Sequence, residues 1–126
     1  RRFEAGFDPA VTLPTADEQF RLPAGLVLLA TLHDRPVGCV GLKLHAGGVG
    51  EVKRLWVSSE VRGLGLARRM LGRIEAEGSS RGIHTLRLDT NRALTEAIAL
   101  YRALGYREIE AYNDEHYAHH WFEKRI

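Results

Sequence analysis

The run Arg62-Gly63-Leu64-Gly65-Leu66-Ala67 lies where an apolar β-type segment gives way to a helical pattern, and its residue types point to a ligand. Glycines at a strand-to-helix junction let backbone amides approach a bound group closely, and a helix start adds about half a positive charge. Such a turn suits a phosphate or pyrophosphate, and Arg62, Arg68 and Arg69 reinforce the sign. Two glycines in a turn are also common in ordinary connections, so the pair needs its context. Asp89, about 24 residues after Gly65, stands where a ribose-binding acid would stand in a dinucleotide-binding half-fold. That fold opens with its glycine turn, whereas three strand patterns precede this one. In His116-Tyr117-Ala118-His119-His120, adjacent histidines on a strand point to opposite faces and no third ligand is spaced to join them, so no metal site is expected. Cys39 follows Gly38 inside a strand pattern and reads as a small buried residue rather than a nucleophile.

The elements that must position the glycine turn follow from periodicity. Leu26–Leu32 and Val37–His45 are strand patterns around a turn at His33-Asp34-Arg35-Pro36, and Ala46–Gly50 is a Gly-rich turn into a third strand, Glu51–Val57. Side-chain alternation puts Glu51, Lys53, Leu55 and Val57 on one face of that strand and Val52, Arg54 and Trp56 on the other. After the turn, Leu66, Ala67, Met70, Leu71 and Ile74 recur at helical spacing, with Gly78 as a stop. Ile83–Asp89 alternates as a strand, and Asn91 can cap a helix with apolar positions Leu94, Ala97, Ile98, Tyr101 and Leu104, ended by Gly105. Tyr106–Tyr112 and Tyr117–Lys124 read as two more strands around a polar loop at Asn113-Asp114-Glu115. On the last, His120, Phe122 and Lys124 share one face and Tyr117, His119, Trp121 and Glu123 the other. Antiparallel strands leading into strand, helix, strand, helix make an α/β or α+β sheet packed by helices.

In this setting the glycine turn resembles the signature of the GNAT superfamily of N-acetyltransferases: Arg or Gln, two residues, Gly, one residue, then Gly or Ala. Arg62 to Ala67 has the expected residue at each constrained position. The resemblance continues through the strand Leu55-Trp56-Val57, Asn91, and Leu100-Tyr101-Arg102-Ala103-Leu104-Gly105-Tyr106, about 50 residues in all. It implies a mixed, mainly antiparallel central sheet with a V-shaped splay and helices on both faces. It also implies acetyl-CoA as cosubstrate, its pyrophosphate on the amides of Arg62, Gly63, Leu64, Gly65, Leu66 and Ala67, and its pantetheine arm along Leu55, Trp56 and Val57.

Acetyl transfer to a primary amine by direct attack poses two proton problems. An ammonium with a pKa near 10 must lose a proton, and the leaving thiolate must gain one. By resemblance Glu51 is the water-mediated general base, Tyr101 the general acid, Asn91 a cofactor contact, and the Val57 amide the donor to developing oxyanion charge. Each residue also has a plainer reading: Glu51 a solvated carboxylate or a partner for Lys53, Tyr101 a core aromatic, Asn91 only a helix cap. A non-catalytic acetyl-CoA-binding sensor or regulatory module is the alternative function.

The 126 residues fit one acetyltransferase domain spanning 1–126. The 18 Lys and Arg against 16 Asp and Glu leave +2, too little to expect nucleic acid as a partner from charge. The single cysteine fits a reducing compartment, and no apolar run reaches the roughly 18 residues of a membrane helix, so a cytoplasmic, membrane-free protein is expected. The acceptor is a small-molecule or protein amine. The first 25 residues, broken by Pro9, Pro14 and Pro23, read as an abbreviated or truncated lead-in without regular structure or with brief helix, and the chain starts at Arg1 rather than Met. The expectation is the acetyltransferase portion of a longer chain, with homodimerisation or fusion to a regulatory domain; the tail Tyr117–Lys124 is similar to bacterial acetyltransferases fused to MarR-type regulators.

Overall fold

Between Gly25 and Val57 the alternating apolar residues form a meander whose first connection is only two residues long. His33 and Asp34 adopt φ of 50° and 64°, the left-handed pair that lets a tight hairpin follow strand twist. The structure, a computed structural model, describes residues 8–11 and 20–126. Seven strands form one sheet: β1 (Asp8–Val11), β2 (Gly25–Leu32), β3 (Arg35–His45), β4 (Val49–Val57), β5 (Thr85–Thr90), β6 (Arg107–Ile109) and β7 (His120–Arg125), in the spatial order β1-β2-β3-β4-β5-β7-β6. All neighbours are antiparallel except β4 and β5. Among the described residues two α-helices join them, α1 (Leu66–Ser79) and α2 (Thr95–Ala103).

Leu66, Met70, Leu71 and Ile74 of α1 are buried against Leu26, Leu28, Val40, Leu42 and Val52. Each such side chain contributes about 1.5–3 kcal/mol relative to exposure, and this burial, not capping, holds the helix. Its N-cap is Gly65, with no side-chain hydrogen bond and no acidic residue in the first turn. Tyr101 of α2, Leu86, Leu88 and Phe122 belong to the same cluster, so both described helices serve one sheet face. On the opposite face Phe20 packs at Gly41, and Tyr112 and Asn113 after β6 reach over it, leaving it partly open. The lead-in, expected to be irregular or briefly helical over residues 1–25, lies mostly outside the described residues; within it, Asp8–Val11 is a strand.

The main correction concerns β4. Cys39 pairs with Trp56 and Gly41 with Lys53, so Arg54 and Leu55 together oppose Val40. Arg54 is the bulge residue, with φ of 58°. The extra residue reverses side-chain alternation. Glu51 and Lys53 share the open face, while Leu55 and Val57 pack with Val52 against the core, contrary to the uninterrupted alternation expected from sequence. Other boundaries move as well. The strand expected over Tyr106–Tyr112 is only Arg107–Ile109, and the last strand starts at His120 rather than Tyr117.

Candidate active site

The parallel ladder between β4 and β5 is short. It pairs Val49 with Thr85, Gly50 with Leu86 and Glu51 with Arg87, then stops, although β4 continues to Val57 and β5 to Thr90. Beyond this point β4 stays paired with β3, and β5 with β7, so each strand follows the twist of its own partner and a wedge opens between them. Continued in register, the ladder would pair Val52 with Leu88 and then, on the same face as Glu51 and Arg87, Lys53 with Asp89. There the backbones no longer bond, and a side-chain bridge of 3.2 Å from Lys53 Nζ to Asp89 Oδ2 spans the gap.

Backbone groups line the wedge. The Ser58 amide donates to the Val37 carbonyl at 2.8 Å, so Ser58 turns its polar groups toward β3. By antiparallel alternation Leu55 and Val57 turn theirs the other way, into the wedge. The chain then makes a single 3₁₀ turn, Ser59–Val61, and reaches Gly63 and Gly65 at φ of 79° and 82°. A Cβ at either glycine would meet nothing within 4 Å. The glycines are therefore required by backbone conformation, and the space around them is open. An uncapped helix start with no acid in its first turn leaves amides able to take an anion, which fits a pyrophosphate held by Arg62 to Ala67.

Asn91 opens the β5–α2 connection and Tyr101 lies within α2. The Tyr101 ring is buried against Tyr106 and Phe122, with centroids 5.9 and 6.0 Å away. No buried side-chain oxygen lacks a partner among the described residues, and none bonds the Tyr101 hydroxyl, so that hydroxyl retains contact with solvent. Burial, with a smaller effect of the Asp89 charge, pushes its pKa up to about 12. The phenol keeps its proton at neutral pH. Asn91 is engaged locally: its Oδ1 accepts from the Ala93 amide and its Nδ2 donates to the Tyr117 carbonyl, both at 2.8 Å. It does not cap the helix as expected, since α2 begins at Thr95 after Leu94.

On the open sheet face a cavity of about 860 Å³ is lined by Glu51, Lys53, Arg87, Tyr112 and Tyr117 among others. Glu51 is 8% exposed at its floor. Its oxygens lie 3.0 Å from Lys53 Nζ, 3.1 Å from His45 Nε2 and 3.4 Å from the Tyr112 hydroxyl, which donates to it. Burial alone would raise the Glu51 pKa; the bonds from Lys53 and His45 and the Lys53 and Lys43 charges outweigh it and hold the carboxyl below its ordinary range. Burial pulls the Lys53 pKa down, but Glu51 and Asp89 together drive it above the ordinary lysine value. Asp89 also accepts from Asn113 Nδ2 at 2.8 Å, and Asn113 Oδ1 accepts from the Trp121 indole at 2.9 Å.

Sequence reasoning named Glu51 and Lys53 as its partner, which the 3.0 Å ion pair bears out, but not the rest of the cluster. His45, Arg87, Tyr112 and Phe20 were not singled out, and Asp89 was weighed only as a ribose ligand. The polar alternation Thr85, Arg87, Asp89 between Leu86 and Leu88 carried the available signal: a strand with one wet face. The terminal histidines are accounted for within the fold. His119 Nδ1 accepts from the Arg92 amide at 3.2 Å and His120 Nδ1 lies 2.6 Å from Glu108. No cluster suited to a metal occurs among the described residues, and no described helix is long and apolar enough to cross a membrane.

Residues 2–106 match the acetyltransferase (GNAT) family. The chain is 39% identical over 82 residues to an IAA acetyltransferase of Azospirillum brasilense, covering 64% of this chain and 54% of that protein, so it spans about half of that relative's length. Among solved structures it is similar to a putative acyl-CoA N-acyltransferase from Klebsiella pneumoniae, with a TM-score of 0.83 and 27% identity over 96% of this chain and 98% of the other. The fold also matches a GNAT family acetyltransferase from Elizabethkingia anophelis with acetyl-CoA bound, at a TM-score of 0.74 and 16% identity, covering 94% and 98%.

Proposed function

Because the chain belongs to the acetyltransferase (GNAT) family, we propose that it moves an acetyl group from acetyl-CoA to a primary amine within a ternary complex. The observation that carries this reading is the wedge: β4 and β5 part directly after Glu51 and Arg87, and the uncapped glycine turn lies at the end of β4. Acetyl-CoA binding by the Elizabethkingia relative supports the same cosubstrate here. When bound, it supplies an acetyl group activated as a thioester.

The chain's own groups then divide the work. Amides of Arg62, Gly63, Leu64, Gly65, Leu66 and Ala67 hold the pyrophosphate, and the backbone of Leu55, Trp56 and Val57 runs along the pantetheine arm, with Leu55 and Val57 offering the wedge-facing hydrogen bonds. With acetyl-CoA bound, the Val57 N–H would donate to the thioester carbonyl oxygen, on which negative charge develops as the N–C bond forms and from which it is discharged as the C–S bond breaks. Glu51, ionised because its pKa is low, is too weak a base to keep an ammonium proton. It orients the water that carries that proton out of the cavity. Tyr101, still protonated, returns a proton to the leaving sulfur. Asn91 contributes by fixing the loop between β5 and α2, since both ends of its amide are engaged there.

The test is release of free thiol from acetyl-CoA with a panel of primary amines, beside a direct measurement of acetyl-CoA binding. Amine-dependent thiol release supports transfer. Binding without turnover by any amine would instead support a sensor module.

A further inference from the structure

Glu51 does not lie alone on its sheet row. Lys43 of β3 and Arg87 of β5 are its two register partners, Arg87 is followed by Glu123 of β7, and Glu123 by Arg107 of β6. The charges alternate across five strands, with the carboxylate of Glu51 between two cations on the cavity face. Neither cation is saturated by the row. Lys43 Nζ comes no nearer to Glu51 than 3.9 Å. Arg87 bonds Glu123 through Nε at 2.9 Å, and its two terminal nitrogens make no hydrogen bond among the described residues. Among those residues the cavity is lined by four cationic side chains, Lys43, Lys53, Arg54 and Arg87, against the carboxylates Glu51 and Glu115.

An amine arrives largely as an ammonium, which such a wall repels. A guanidinium with an open pair of terminal donors suits a carboxylate, and an ammonium beside it completes a site that a cation alone would not enter. We propose that the acceptor is an amino acid or related zwitterion, its carboxylate held by Arg87 and Lys43 while its amine faces Glu51 and the wedge. The inference rests on the transfer reading above and narrows it to a substrate class.

The test compares ω-amino acids from glycine to 6-aminohexanoate, each against its own carboxamide, by thiol release with acetyl-CoA and by calorimetric titration without it. At the best chain length the acid should exceed its amide at least about tenfold in kcat/KM, through a lower KM, because one charge-assisted contact is removed in the amide. Arg87→Gln and Lys43→Gln should each bring this ratio toward unity, and Arg87→Lys should restore part of it. Amides equal to or better than acids at every length would overturn the inference. If acetyl-CoA binds and no compound is acetylated, the transfer reading falls, and calorimetry alone decides the substrate class: tighter binding of the acid upholds it, equal binding overturns it.

Discussion

The Lys53 ammonium lies 3.0 Å from Glu51 Oε2 and 3.2 Å from Asp89 Oδ2, joining two carboxylates on strands that separate just beyond Glu51. One cation therefore serves both as partner to Glu51 and as a tie across the wedge. The Asp89 side chain is 2% exposed, so it depends on this cation, on Asn113 and on the Tyr117 hydroxyl rather than on water. The backbone opens and the side chains keep the opening at a fixed width.

Lys53→Met keeps the length of the side chain and removes its charge. Removing one member of a buried ion pair typically costs about 3–5 kcal/mol; Lys53 is partly open and Asn113 remains, so a loss of about 2–3 kcal/mol is expected in denaturant unfolding. A change within 0.5 kcal/mol would show that the bridge does not hold the strands.

The pH dependence follows from the same cluster. Glu51 has a folded pKa below its ordinary 4.5, so its ion pairs contribute stability above that value and lose it as pH falls through the lower folded value. Lys53 has a folded pKa above its ordinary 10.5, so its contribution is complete below 10.5 and is lost only as pH rises through the higher one. Stability from this pair should be level between 4.5 and 10.5, with its acid decline setting in as pH falls through 4.5 and complete only below the lower folded pKa of Glu51. In Lys53→Met the Glu51 pKa rises toward or above its ordinary value, so the acid-side loss of stability from this group should shrink or reverse. Unfolding curves from pH 3 to 10 that coincide in shape for the two proteins would contradict this.

Tyr101→Phe removes one hydroxyl and leaves the ring against Tyr106 and Phe122. If the phenol is the acid, kcat should fall about 100-fold, within the range general acids supply, while acetyl-CoA affinity stays within twofold. With its pKa pushed up to about 12, Tyr101 should cause no alkaline loss of rate below pH 10. Unchanged turnover in Tyr101→Phe would remove it from the mechanism.

Two glycine classes should separate experimentally. Gly63→Ala and Gly65→Ala add a Cβ in open space but at positive φ, and each should cost about 1–2 kcal/mol through backbone strain and weaken acetyl-CoA binding. Gly41→Ala instead places its Cβ 2.6 Å from the Phe20 ring, so it should disturb the cavity wall and raise the amine KM with little effect on acetyl-CoA. Thermal unfolding and separate titrations of the two substrates distinguish them; identical profiles would contradict the assignment.

Much of the fold was legible because it depends on local pattern. Alternation marked β2 to β5, helical spacing marked Leu66, Met70, Leu71 and Ile74, and the glycine turn required only that Gly63 and Gly65 adopt positive φ. Those constraints act between residues close in the chain, so they survive in one dimension. The face on which Leu55 and Val57 lie did not. A bulge at Arg54 arises from how β4 registers against β3, and one inserted residue reverses every side chain after it. The site's charge arrangement is more remote still. Lys43, Glu51, Arg87, Glu123 and Arg107 become a row only when five strands are ordered β3-β4-β5-β7-β6, an order that exchanges the last two strands relative to the chain. Periodicity determined which residues could be wet or buried; strand order and register decided which charges meet.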